Sequence, residues 1–346
     1  MKKEICNRRQ CRILDILSRE DSLTAGEIMF KVKDENVSRS TINRDLSFLL
    51  ENHFIVQNGV GRATAYSLNQ NPILKSFDID KYFLTDYRLD VKERYNPEVI
   101  NCFGDIFTVK EKEKTGTLKR LYQDKVFGQT SPGIKKEFMR LLIEFSWKSS
   151  SIEGNTYSLL ETEQLISDSV KAKGKSEEEA IIILNHKNAF EFIMTNKEHL
   201  KELSLEKIEN IHAILTRGLG IDTSIRNHEV GVTGSNYKPL SDQYNITNAL
   251  VDMIEKINTT KNPLERALTA VVMISYIQPF EDGNKRTGRM VGNAILMAYD
   301  LCPISYIGTD NITYKKSTLL FYEQNSIVAF KDLFMQQYEL SIRRYF

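Results

Sequence analysis

The run Gln278-Pro279-Phe280-Glu281-Asp282-Gly283-Asn284-Lys285-Arg286-Thr287-Gly288-Arg289 gathers the residue types that handle phosphate. Pro279 keeps Gln278 out of the helical region, and Asp282 or Gly283 can open a helix that continues through the apolar run from Met290 to Tyr299. The first amides of that helix, on Gly283, Asn284 and Lys285, lack intrahelical acceptors and point at one spot. Such a spot attracts anions through its donors and the helix dipole, and Arg286 and Arg289, three residues apart, share a face beside it. Asp282 adds the carboxylate that a magnesium ion bridging phosphates requires. A nucleotide is the ligand this chemistry suits. In the bland alternative, Asp282 only caps a helix and the arginines meet surface carboxylates.

Two further stretches bear on this site. From Lys136 to Ser151 the apolar residues Phe138, Leu141, Leu142 and Phe145 recur with helical spacing, and Gly154 sets the carboxyl end. Glu153 falls in the last turn, where the dipole disfavours a carboxylate, so a cation compensates it unless it is simply solvated. Glu229 to Ser235 alternates around Val230, Gly231, Val232 and Thr233, which reads as a short hairpin. His186, His212 and His228 read as hydrogen-bonded structural histidines.

The amino-terminal part has its own pattern. Cys11, Ile13, Leu14, Ile16 and Leu17 predict a helix over residues 8–19, and Ser22 to Thr24 offers caps for a second helix through residues 28–32. Ser38 caps a third helix over residues 39–52, striped by Ile42, Leu46, Leu49 and Leu50. Strand-like runs at 54–57 and 64–68 flank a turn containing Gly59, Gly61 and Arg62. Three helices and a hairpin resemble the winged helix-turn-helix fold. That resemblance implies a third helix in the DNA major groove, with Arg39, Thr41, Asn43 and Arg44 reaching bases or phosphates and Arg62 touching backbone. The alternative is a protein-docking or dimerising winged helix, which would make a homodimer. Residues 1–70 carry 11 Lys/Arg and 9 Asp/Glu, so the electrostatic footprint is weak.

Composition bounds these readings. The 346 residues are 41% hydrophobic and 27% charged, enough for two globular domains, and the net charge of +1 imposes no global field on a partner. Cys6, Cys11, Cys102 and Cys302 form no Cys-x-x-Cys pair and suit thiols in a reducing compartment. The longest apolar stretch, residues 267–277, is too short for a bilayer, and the polar start predicts a cytoplasmic protein without membrane contact.

The run from Gln278 to Arg289 resembles the signature His-x-Phe-x-(Asp/Glu)-Gly-Asn-(Gly/Lys)-Arg-x-x-Arg of the Fic (filamentation induced by cAMP) family, matched everywhere except at the first position. The similarity extends over roughly residues 77–305. It implies a mainly α fold, a Fic-type helical bundle with a β-hairpin flap, and transfer of AMP from ATP with Mg2+ to a Ser, Thr or Tyr hydroxyl of a target protein. Under this resemblance Phe280 anchors the loop and Asp282 holds the metal. Gly283, Asn284 and Lys285 cradle phosphate, and Arg286 and Arg289 clamp the outer phosphates. Gln278 stands where the family's histidine takes the hydroxyl proton. An amide does not titrate near neutral pH, and losing a general base costs about 10²- to 10⁴-fold in rate.

Ser149-Ser150-Ser151-Ile152-Glu153-Gly154 resembles the inhibitory motif (Ser/Thr)-x-x-x-Glu-(Gly/Asn) of autoinhibited Fic proteins. The implication is that Glu153 neutralises Arg289 and keeps it from the terminal phosphate. The segment Val230 to Thr233 becomes the flap, to which a target adds as a strand. Lys285 resembles the lysine of the Doc branch, where a reversed nucleotide makes a protein kinase. A further reading is an inactive, ATP-binding and DNA-binding regulator. The domains expected are a winged helix-turn-helix over 1–70, a linker and helical lead-in over 71–130, and a Fic domain with its inhibitory helix over 131–346.

Overall fold

The structure, a computed structural model, describes residues 6–32, 37–84, 88, 91–128 and 131–346. The chain divides into two compact units, Met1–Arg88 with Ser326–Ala329, and Leu89–Asn325 with Phe330–Phe346.

In the first unit, helix α1 (Arg8–Leu17) starts at a capping box in which Asn7 and Gln10 exchange side-chain and backbone hydrogen bonds. A two-residue strand β1 (Leu23–Thr24) leads into α2 (Ala25–Val32), whose Glu27 carboxylate accepts from Thr24 N at 2.7 Å. Helix α3 (Arg39–Glu51) is capped by Ser38, whose side chain accepts from Thr41 N. Strands β2 (Ile55–Asn58) and β3 (Ala65–Leu68) complete an antiparallel sheet of order β1-β3-β2, with Tyr66 opposite both Leu23 and Gln57. Ile13, Ile28, Ile42, Leu46, Leu49 and Ile55 form the core. Between β2 and β3 the chain makes a 3-10 turn over Gly61–Ala63, and the Arg62 side chain lies outside the described residues.

The segment read as a linker packs as part of this unit: Ile73 and Leu74 are buried in a 3-10 turn, Pro72–Leu74, capped by Asn71. A short helix α4 (Ile79–Tyr82) follows.

The second unit is helical. After a 3-10 segment, Pro97–Cys102, come α5 (Val109–Gly128), α6 (Ser131–Ile152), α7 (Leu159–Asp168), α8 (Glu177–Thr195) and α9 (Leu205–Thr216). Then α10 (Gln243–Thr259), α11 (Pro263–Ile277), α12 (Asn284–Ala298), α13 (Asn311–Gln324) and α14 (Val328–Tyr345) follow. Helices α11 and α12 are buried over nearly all their length: the apolar runs from Ala267 to Ile277 and from Met290 to Ala298 face inward on every side, and Arg286 and Arg289 at the start of α12 are buried with them. They approach closely because Gly288 and Gly292 face Val271; a Cβ on Gly288 would sit 2.8 Å from the Val271 carbonyl oxygen. No helix among the described residues is long and apolar enough to cross a membrane.

The hairpin expected over residues 226–235 does not form. The segment is a loop with a turn closed by Ser235 N on Val232 O at 3.1 Å. Its ends are fixed instead by Arg226, a buried guanidinium that donates to the carbonyl oxygens of Gln278 and Leu240 and contacts that of His228. With Gly231 and Gly234 favouring turns, no facing ladder builds.

Candidate functional site

The loop between α11 and α12 is fixed by its own residues. Gln278 ends α11 in the left-handed region, φ 53°, with its N–H on Ile274 O at 3.1 Å, and Pro279 prevents continuation. Phe280 is fully buried and stacks on His212 at 3.7 Å between ring centroids, while His212 Nε2 lies 2.9 Å from Asp282 O. Burial holds the His212 ring on the neutral side, despite the Asp282 carbonyl. Asn284 clasps the loop: its Nδ2 donates to Phe280 O at 2.8 Å and to Gln278 Oε1 at 3.0 Å, and its Oδ1 accepts from Phe280 N at 2.9 Å. The side chain of Asn284 is therefore consumed inside the loop, leaving only its amide for a ligand. Gln278 is equally committed, because its Nε2 donates to Ser275 O at 2.6 Å and reaches Tyr322 Oη at 3.4 Å.

Gly283, at φ 80°, opens α12 without a capping side chain. Its own N–H meets Asp282 Oδ1 at 2.5 Å, so of the three amides expected to converge, this one is taken by the neighbouring carboxylate. Arg286 is nearly buried; its Nη2 donates to Asp282 Oδ2 at 2.8 Å, and its Nη1 is buried without a hydrogen-bond partner among the described residues. An orphaned guanidinium N–H beside an uncapped helix start seeks an anion.

Arg289 has no exposed side-chain surface. Its Nε donates to Ser149 Oγ and its Nη2 to Ser149 O, each at 2.9 Å, and Tyr314 lies under the guanidinium at 5.3 Å. Nη1 stands 2.9 Å from Glu153 Oε1, an ion pair outside good hydrogen-bond alignment. Lys285 Nζ lies 3.4 Å from the other oxygen of Glu153. Burial pushes the Glu153 carboxyl up, but the charges of Arg289 and Lys285 outweigh it and hold the pKa below the ordinary value. For Arg289 burial opposes the charge, and Tyr314 and Glu153 reverse the shift to a net rise.

One cavity of about 530 Å³ joins these pieces: Glu153, Gly154, Val230 to Thr233, Gln278 and Asp282 to Arg286 all line it. Ser149 and Arg289 lie behind the wall. Arg39, Asn43 and Arg44 are exposed and Thr41 half-buried on α3 of the other unit. Among the described residues no cluster of His, Cys, Asp or Glu could hold a metal by itself. Asp282, two-thirds exposed, could contribute one carboxylate oxygen to a magnesium whose other ligands are phosphates and water. Sequence reasoning missed Arg226, which holds the Gln278 carbonyl at 2.6 Å, and Tyr314; neither sits in a local pattern.

Residues 202–296 match the Fic/DOC family model. The chain is 28% identical over 185 residues to protein adenylyltransferase fic-1 of Caenorhabditis elegans, covering 51% of this chain and 36% of that protein. It is 27% identical over 188 residues to protein adenylyltransferase Fic of Nematostella vectensis, covering 53% and 44%. The chain thus spans about a third to less than half of the length of these curated relatives. Among solved structures, Fic-1 (residues 134–508) from C. elegans superposes with a TM-score of 0.59 at 24% identity, covering 68% of this chain and 71% of that one. A Fic domain containing signaling protein from Bacteroides thetaiotaomicron gives 0.54 at 20% identity, covering 65% and 94%. The loop motif and the helical fold around it agree with these matches in placing a Fic/DOC-type domain over residues 202–296.

Proposed function

We propose that the protein binds ATP and magnesium at the start of α12 and transfers AMP to a Ser, Thr or Tyr hydroxyl of a protein target, held back by Glu153 and slowed by Gln278. The observation that carries this reading is the pair of buried guanidinium groups: Arg286, whose Nη1 has no hydrogen-bond partner among the described residues, and Arg289, whose charge is already taken by Glu153 at 2.9 Å. In such a transfer the hydroxyl oxygen bonds to the α-phosphorus and pyrophosphate leaves. Gln278 accepts no proton, so the proton passes to a phosphate oxygen or to water. Asp282 would hold the magnesium, and the loop from Val230 to Thr233 would meet the target main chain across the cavity. Incubation with ATP labelled in the adenosine moiety tests the assignment. Glu153→Gly should label protein slowly, and Gln278→His in that background should accelerate labelling by about 10²-fold or more. Unlabelled protein in both variants contradicts it.

A second reading, a regulator that binds ATP without turnover, is favoured by the internal bonding of Gln278, whose amide is satisfied at both ends by Ser275 and Asn284. We propose for the first unit a DNA-binding winged helix. The support is the face of α3: Ser40, Asn43, Arg44 and Ser47 are exposed at helical spacing, whereas Asp45 turns inward onto Arg9 and Gln10. The outward face is left cationic and polar, as groove contact needs. A protein-docking or dimerising role is the outcome if duplex DNA does not bind.

A further inference from the structure

His186 occupies a position that the loop motif does not include. Arg289 Nε donates to Ser149 Oγ at 2.9 Å, so that oxygen already accepts and its own hydrogen points elsewhere. His186 Nε2 lies 3.0 Å from the same oxygen. On the other side of the ring, Nδ1 lies 2.8 Å from the Ile182 carbonyl oxygen, which can only accept. The ring proton is thereby assigned to Nδ1, and Nε2 offers its lone pair to the Ser149 hydroxyl. Ser150 agrees with this assignment. Its hydroxyl donates to Ser146 O at 2.7 Å, leaving its oxygen as an acceptor 3.4 Å from Nδ1. Burial, reinforced by the charges of Arg286 and Arg289, keeps the imidazole neutral, with its pKa pushed down to about 3. Every donor in the chain from Arg289 through Ser149 and His186 to Ile182 then points the same way, tying α12 to α6 and α6 to α8.

We propose that His186 is a positioning residue for the Glu153 brake: by fixing the Ser149 hydroxyl as an acceptor toward α12, it holds the Arg289 guanidinium against α6 and away from nucleotide phosphates. Without an acceptor at Nε2, the Ser149 hydroxyl is free to turn toward a carbonyl of its own helix, and Arg289 loses one of its three anchors. The inference deepens the proposed autoinhibition and rests on it. It also separates two roles of the α6 end, with Glu153 supplying charge and Ser149 supplying direction.

Calorimetric titration of ATP with magnesium into the full chain tests it, using Glu153→Gly, His186→Ala, Ser149→Ala and the two doubles with Glu153→Gly. His186→Ala and Ser149→Ala should each tighten binding about 2- to 10-fold relative to the parent, the range of one hydrogen bond. Neither should add to Glu153→Gly, because the Ser149 hydroxyl opposes nucleotide binding only by aligning Arg289 with that carboxylate. A merely structural histidine would not produce this non-additivity, and Ser149→Ala carries the test should His186→Ala fail to fold. If Glu153→Gly tightens binding while both other variants stay at the parent value, or act equally on the Glu153→Gly background, the positioning role is overturned and the brake stands. If Glu153→Gly leaves affinity unchanged, the brake itself is overturned.

Discussion

Arg289 and Arg286 are three residues apart and sit in opposite conditions. Nε and Nη2 of Arg289 bond Ser149 and its Nη1 is ion-paired with Glu153, whereas Nη1 of Arg286 is buried with neither a hydrogen bond nor an ion pair among the described residues. Arg286→Ala should therefore weaken ATP binding by at least about tenfold, since hydrogen bonds to charged groups contribute roughly 1.5–3 kcal/mol. A calorimetric titration at fixed magnesium checks this, and unchanged affinity would remove Arg286 from the site. The motif from Gln278 to Arg289 was legible because one helical turn fixes which of its residues share a face. The partner of Glu153 was legible only through the family resemblance. The clasp made by Asn284 and the His212 stack were not legible. Phe280 and His212 meet only through tertiary packing, and nothing local in the sequence marks that distance.

At the scale of elements, α11 and α12 were readable as apolar runs, but their close approach is a property of particular glycines. Gly288→Ala should lower stability by about 1–3 kcal/mol, because the obstructing atom is a backbone oxygen that cannot move aside. Gly116→Ala on α5, with open space around it, should be neutral or stabilising by up to about 1 kcal/mol. Thermal melts compare them directly, and equal shifts would refute the packing account. The segment after Glu153 is held by Glu179, whose carboxylate accepts from Thr156 N at 2.8 Å and Thr156 Oγ1 at 2.6 Å. These hydrogen bonds, with those from Ser176, pull its pKa from 4.5 down to about 2. A depressed carboxyl stabilises above the unfolded value and loses that contribution as pH falls through the folded one. The melting-temperature gap between the parent and Glu179→Gln should then close between about pH 4.5 and 2. A gap that stays constant would mean the carboxylate charge is not what matters. The hairpin expected at 226–235 failed because alternation in a short, glycine-containing run cannot specify a ladder without a partner strand. The strand β1 escaped notice because two residues carry no periodicity.

Across the whole molecule, the near-neutral charge hides local contrast: acidic Asp45 is turned inward on α3 while Arg39 and Arg44 face out. If the first unit binds duplex DNA, Arg44→Ala should weaken binding and lower the slope of log affinity against log salt by about 1. A slope unchanged by the substitution would argue for a different partner. A change of pattern separates an amino-terminal part from a helical one in the sequence, but the first compact unit runs on to Arg88, past the glycine-rich turn and through the buried Ile73 and Leu74, which no local periodicity marks. The central claim is that the start of α12 is a polyphosphate site closed by Glu153. Titrating ATP with magnesium into the parent, Glu153→Gly and Glu153→Gly/Arg286→Ala addresses it most directly. Binding should tighten on the order of tenfold on removing Glu153 and fall back on removing Arg286. No detectable nucleotide binding to Glu153→Gly, or binding indifferent to Arg286, would contradict it.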